Sequence, residues 1–124
     1  SGVTAGGSNI AQVGDSSVTT IHPGGQRSKY TASAAGNYTI LLTDYIIGKT
    51  GITGAGDTVT LPTVASAGQG RVYIIKDESG NANIDNITLD GNGSETIDGA
   101  TTQVINTNYG SIKVYCNGSA WFII

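Results

Sequence analysis

The sequence predicts an all-β fold, a sandwich or barrel of about eight to ten short strands. Three observations carry that prediction. First, 15 Ile, 8 Val and 16 Thr stand against 4 Leu and no Met among 124 residues. β-branched side chains suit a pleated, half-buried surface, whereas Leu and Met are the apolar residues that helices favour. Second, 19 Gly with many Asn and Asp supply turn residues at close intervals. Third, apolar residues alternate with polar ones over short runs from about residue 28 onward. No helix longer than about two turns is expected.

Residues 1–27 differ from the rest, being rich in Gly, Ser and Thr with isolated Ile10, Val13, Val18 and Ile21. They read as a loosely ordered lead-in with at most one short strand at 17–22, closed by Pro23-Gly24-Gly25. In "NYTILLTDYIIG" Tyr38, Ile40 and Leu42 share one face, and Asp44 interrupts the run, which predicts a bend or bulge there. "DTVTLP" places Val59 and Leu61 inward and Thr58 and Thr60 outward, with Pro62 ending the strand. "RVYIIKD" is apolar on both faces and belongs at the centre of a sheet. "NITLD" exposes Thr88 between Ile87 and Leu89, and "TTQVINT" follows. In "SIKVYC" Ile112, Val114 and Cys116 share a face, and "SAWFII" is an apolar ending that calls for burial. Asn117-Gly118 between these last runs predicts a two-residue type I′ hairpin, which needs φ > 0 at both central positions. No fixed period of 20 to 50 residues appears, which argues against a solenoid.

Composition narrows the function classes. The net charge is −3 and the six Lys and Arg are scattered along the chain, so no phosphate-tracking stripe is legible and nucleic acid is not an expected partner. No apolar run is long enough to span a membrane and no signal peptide is legible. A single Cys excludes an intrachain disulfide framework. The lack of any Met, including at position 1, reads as a processed or excised fragment, and Ser1-Gly2 looks like a cloning scar. A hydrophobic fraction of 38% is low for a well-filled core, so the chain stands to gain from burying more surface in an oligomer.

The stretch "NITLDGNGSETIDGA" (86–100) is where chemistry would be sought. Asp90-Gly91-Asn92-Gly93-Ser94 has the alternation of a calcium loop, but the glycine and terminal glutamate of an EF-hand are misplaced and no helices flank it. No following helix offers its amides to a phosphate. Its residues read as turns, with no metal or cofactor expected. Nothing in the spacing of Glu78, Asp85, Asp90, Glu95 and Asp98 selects a catalytic pair. Cys116 lies on an apolar strand face, where a thiol packs inertly. His22 could meet its copies at a three-fold axis and bind a metal there, although an exposed His before a turn proline is the simpler reading. Sequons at Asn37, Asn86, Asn92 and Asn117 are expected by chance in so Asn- and Thr-rich a chain. Tyr30, Tyr45, Tyr109 and Tyr115 suit either sugar and protein contacts or a subunit interface.

From about residue 36 the pattern is that of a known group. "GNYTILLTDYII", "DTVTLPTV", "GRVYIIKDESGNA", "NITLDGNGSETIDGA", "NYGSIKV" and "NGSAWFII" resemble the small β modules at the C-terminal tips of bacteriophage tail fibres and tail needles. The resemblance implies a trimeric, jelly-roll-like β-sandwich knob on the virion, at the end of a fibre that contacts a host-cell receptor such as a glycan. Residues 1–35 depart from the pattern and would be a lead-in or stalk arm with at most one or two short strands, or part of the knob itself, and 36–124 the tip domain. No catalytic residues come with it, and no enzyme activity, nucleic-acid binding or membrane insertion is expected. Asn92, Ser94 and Glu95, polar and loop-borne, are the candidate receptor contacts. Two other classes compete: a monomeric carbohydrate-binding module, and a purely structural capsid or fibre decoration domain.

Overall fold

The first six strands alternate between two sheets. The computed structural model describes residues 25–124, so the strand expected at 17–22 and His22 lie outside the described residues. β1 (Tyr30–Ser33), β3 (Ile46–Lys49) and β5 (Val72–Asp77) lie side by side in one sheet, while β2 (Tyr38–Thr39), β4 (Asp57–Thr60) and β6 (Ile87–Asp90) lie side by side in another. All neighbours within each trio are parallel. The chain therefore coils, laying one strand in each sheet per turn for three turns. It then reverses. β7 (Thr102–Ile105) pairs antiparallel with β6, β8 (Ser111–Cys116) with β5, and β9 (Trp121–Ile123) with β8. The result is a five-stranded sheet ordered β1-β3-β5-β8-β9 and a four-stranded sheet ordered β2-β4-β6-β7.

The fold class is all-β, in two mixed sheets with almost no helix. Two expectations about its path are corrected. A jelly roll is built from antiparallel strands, and the parallel trios here do not form one. A coil with stacked turns is present although no period is legible, because its turns are unequal: Tyr30 to Ile46 spans 16 positions and Ile46 to Ile74 spans 28. The crossover that parallel strands require is supplied by strands of the opposite sheet rather than by helices.

Alternation places the core. Ile47, Tyr73, Ile75, Ile112 and Val114 from the larger sheet join Val59, Ile87, Leu89 and Ile105 from the smaller in one buried cluster. Trp121 of β9 completes it, its ring tilted against Tyr73 with centroids 5.7 Å apart. β5 is the central strand of its sheet, as its two apolar faces predict. Val59 and Leu61 are buried while Thr58 and Thr60 are only half so. The connection after β4 holds the one helix among the described residues, α1 (Val64–Ala67). Thr63 caps it by accepting from the Ser66 N–H, and Gly68 ends it at φ 81°. No helix is legible here in the sequence, since four residues are too few for helical periodicity to show.

Three local readings change. The run 38–47 is not one bent strand, for Leu41 accepts from the Asp44 N–H in a turn and the chain switches sheets there, leaving Leu42 exposed. The final hairpin forms, but its loop is Asn117–Ala120, four residues long, with only Gly118 at positive φ (98°). Asn117 instead uses its side-chain oxygen to accept from the Ser119 and Ala120 amides. The apolar ending is buried only in part: Trp121 is inside, whereas Ile124 is 66% exposed. At the other end β1, a short strand within 1–35, is hydrogen-bonded into the larger sheet.

Candidate functional site

The 91–101 loop joins β6 to β7 and carries the three candidate receptor residues. Gly91 opens it: a Cβ there would lie 2.2 Å from the Glu95 carbonyl oxygen, so the loop closes on a bare backbone. Asp98-Gly99 closes it, with both residues at positive φ (50° and 82°) between Ile97 and Ala100, whose backbones bond reciprocally at 2.6 and 3.1 Å. That is what a type I′ turn demands, so the turn chemistry expected at Asn117-Gly118 is found here.

Within this loop the three residues divide. Both carboxylate oxygens of Glu95 accept from the Val64 N–H, at 3.1 and 2.9 Å, which fastens the loop to the start of α1. The Asn92 side chain donates to the Leu61 carbonyl at 3.4 Å, fastening it to the end of β4. Both are half-buried, and Ser94 between them is exposed. Glu95 and Asn92 thus hold the loop's shape and Ser94 stands at its surface. Asp90 lies in β6 with its carbonyl accepting from the Leu61 amide. Among the described residues no group of three or more His, Cys, Asp or Glu side chains could hold a metal ion. Cys116 is buried and free.

The polar groups that sequence reasoning missed are three buried aspartates. Asp77, at the end of β5, takes five hydrogen bonds: from the Ser79 amide and hydroxyl (2.9 and 2.6 Å), the Gly80 amide (3.1 Å), and the Ala82 and Tyr109 amides (3.1 and 3.0 Å). It thereby ties the β5–β6 connection to the β7–β8 connection and holds Tyr109 at φ 59°, a region a bulky side chain rarely adopts. Asp44 accepts from the Thr31 and Tyr38 hydroxyls and the Leu41 amide (2.6, 2.7 and 2.9 Å), joining β1 to the β2–β3 turn. Asp57 faces Lys49 and accepts from the Gly36 amide and from Thr53. Burial pushes each of these carboxyls up, but the donors outweigh it and all three end below the ordinary value, Asp57 at about 2. The Tyr38 phenol, desolvated and bonded to the Asp44 carboxylate, is raised to about 12. These aspartates serve as knots between connections. A signal existed in "TGAGDTV" and "KDESGNA", where Asp precedes or follows Gly and Ser, but Asp in such company is ordinarily a solvated turn residue.

Compared with models of protein families and with curated proteins, the chain matches none.

Proposed function

We propose that the chain is a non-enzymatic tip domain of a phage tail fibre or tail needle, a two-sheet sandwich that assembles as a homotrimer and attaches the virion to a host-cell surface. The observation that carries this is the outer face of the five-stranded sheet. Opposite the core-facing residues, the strand register sets Tyr30, Ile46 and Ile74 in one row across neighbouring strands and Val72, Tyr115 and Phe122 in another. Tyr115 and Phe122 stack at 5.7 Å. None of the six is fully buried in the single chain. Leu41, Ile84 and Val104 are exposed elsewhere on the surface, Ile84 at 73%. The first row ends at Lys113, which faces Ile74 on β8. Apolar residues left partly uncovered on a sheet face mark an interface, and a second and third copy of the same sheet would cover them. Trimeric presentation would let weak receptor contacts at the 91–101 loops act together.

Size-exclusion chromatography with light scattering tests the assembly, followed by retention on bacterial cell envelopes. A trimer that is retained, and that Ile74→Lys dissociates without unfolding, supports the reading. A monodisperse 12.6 kDa monomer at micromolar concentration overturns it and favours the monomeric binding module.

A further inference from the structure

Parallel pairing brings together what the sequence scatters. β1, β3 and β5 are parallel neighbours, so the residues that precede them gather at one end of the sheet. The ladder extends past the strands themselves: the Ile46 amide bonds to the Lys29 carbonyl and the Ile74 amide to the Tyr45 carbonyl, both at 2.9 Å. Arg27 and Lys29 before β1, Tyr45 before β3 and Arg71 before β5 consequently line one cleft of about 510 Å³. Tyr45 and Arg71 also line an adjoining cleft of about 390 Å³ that continues to Gln69. Both volumes fall within the range of small-ligand sites.

The charge there runs against that of the chain. A protein of net charge −3 places three of its six Lys and Arg around one opening. The acidic residue in the lining is Asp44, whose side chain is buried and already accepts from Thr31, Tyr38 and Leu41. Among the described residues the salt bridge is Lys49–Asp57. Lys29 lies near enough to Asp44 to help hold its carboxyl below the ordinary value, while Arg27 and Arg71 make no salt bridge to a described carboxylate. Arg71 donates through Nε to the Ala67 carbonyl at 3.5 Å, which fixes its stem and spares the rest of the guanidinium. A guanidinium matches a carboxylate or phosphate with two parallel N–H bonds, and a half-exposed tyrosine offers a rigid amphipathic face with a polar tip.

We infer that this end of the five-stranded sheet binds an anionic saccharide, a sugar bearing a carboxylate or a phosphate, with Arg71 and Arg27 on the anionic group and Tyr45 against the sugar ring. An extended nucleic-acid strand fits less well, because the cations are confined to one cleft instead of tracking a backbone. The inference concerns the single chain and does not require the trimer. It adds a binding surface whose lining includes no residue of the 91–101 loop.

The test is titration of the full 124-residue chain, followed by amide chemical shifts, with five probes: an oligogalacturonate, mannose 6-phosphate, inorganic phosphate, neutral maltotriose and an oligo-dT strand. Expected are shifts at 27–29, 45 and 69–72 with the first two probes, weakened by added salt. Arg71→Gln and, independently, Arg27→Gln should each weaken binding by about tenfold, and Lys113→Gln, whose cation lies outside the cleft, should not. Arg27 lies outside every strand, so its variant keeps the test open if Arg71→Gln fails to fold. No shift at the cleft with either acidic sugar overturns the inference. So does maltotriose binding as well as the acidic sugars, inorganic phosphate binding as well as the sugar phosphate, or the oligonucleotide binding more tightly than either. A monomer that binds the acidic sugars would refute the trimer and leave this site standing; a trimer that binds neither would do the reverse.

Discussion

Lys49 and Asp57 meet inside the protein, Nζ to Oδ2 3.0 Å apart, with side chains 0% and 1% exposed. The ammonium also donates to the Ala34 and Gly36 carbonyls at 2.7 and 2.6 Å, and the carboxylate accepts from the Gly36 amide at 2.8 Å. One pair thus closes the β1–β2 connection against the start of β4.

Breaking this pair from one side should be severe. Asp57→Ala leaves a buried cation, which is expected to cost about 3–5 kcal/mol, whereas an apolar double replacement such as Lys49→Met with Asp57→Leu should cost far less. Urea denaturation of both variants measures the difference. Equal destabilisation would mean that the pair's attraction, rather than the stranded charge, sets the cost.

Acid should unfold the domain through its buried aspartates. A carboxyl with a lower pKa folded than unfolded contributes stability that is present above the unfolded value and lost as pH falls through the folded one. Asp57 drops from 3.8 to about 2, which corresponds to about 2 kcal/mol at neutral pH. Asp44 and Asp77 shift the same way. Stability measured by denaturant should hold from pH 7 to about 4 and then fall steeply towards pH 2. A flat profile down to that pH would show that these carboxylates are not the anchors.

The turn glycines separate conformational cost from collision. Gly99→Ala meets nothing within 4 Å but must hold φ 82°, so about 1 kcal/mol is expected. Gly118→Val, at φ 98° with only Gln69 nearby, should cost about 1–2 kcal/mol. Gly91→Ala drives a Cβ into the Glu95 carbonyl and should exceed both. Melting temperatures that fail to put Gly91 last would mean the 91–101 loop yields freely.

Glu95 and Ser94 should part company. Glu95→Ala removes two acceptors from the Val64 amide and should destabilise by about 1 kcal/mol, while Ser94→Ala, exposed and unbonded to the loop's neighbours, should leave the melting temperature unchanged. Chelator should leave it unchanged as well, since a bound ion would stabilise by mass action. A fall of many degrees on chelation would turn the loop into a metal site.

Much of this molecule is local and therefore legible in its sequence. Val59 and Leu61 inward, Thr88 between two buried neighbours, and Ile112, Val114 and Cys116 on one face follow from the period of two that a strand imposes on its side chains. Turn positions were legible too, though not which turn would take the I′ geometry. Asp98-Gly99 and Asn117-Gly118 are alike in composition and differ in loop length, two residues between Ile97 and Ala100 against four between Cys116 and Trp121.

What only the tertiary structure decided is which strand lies beside which. Tyr30, Ile46 and Ile74 are neighbours across the larger sheet, and parallel pairing at unequal separations leaves no repeat in the chain to read. The burial of Asp44, Asp57 and Asp77 follows from that arrangement, since an aspartate among Gly and Ser looks solvated until distant amides close on it. So does the cleft of Arg27, Tyr45 and Arg71. Local pattern determines a residue's face, but long-range pairing determines its company, and charge becomes chemistry only in company.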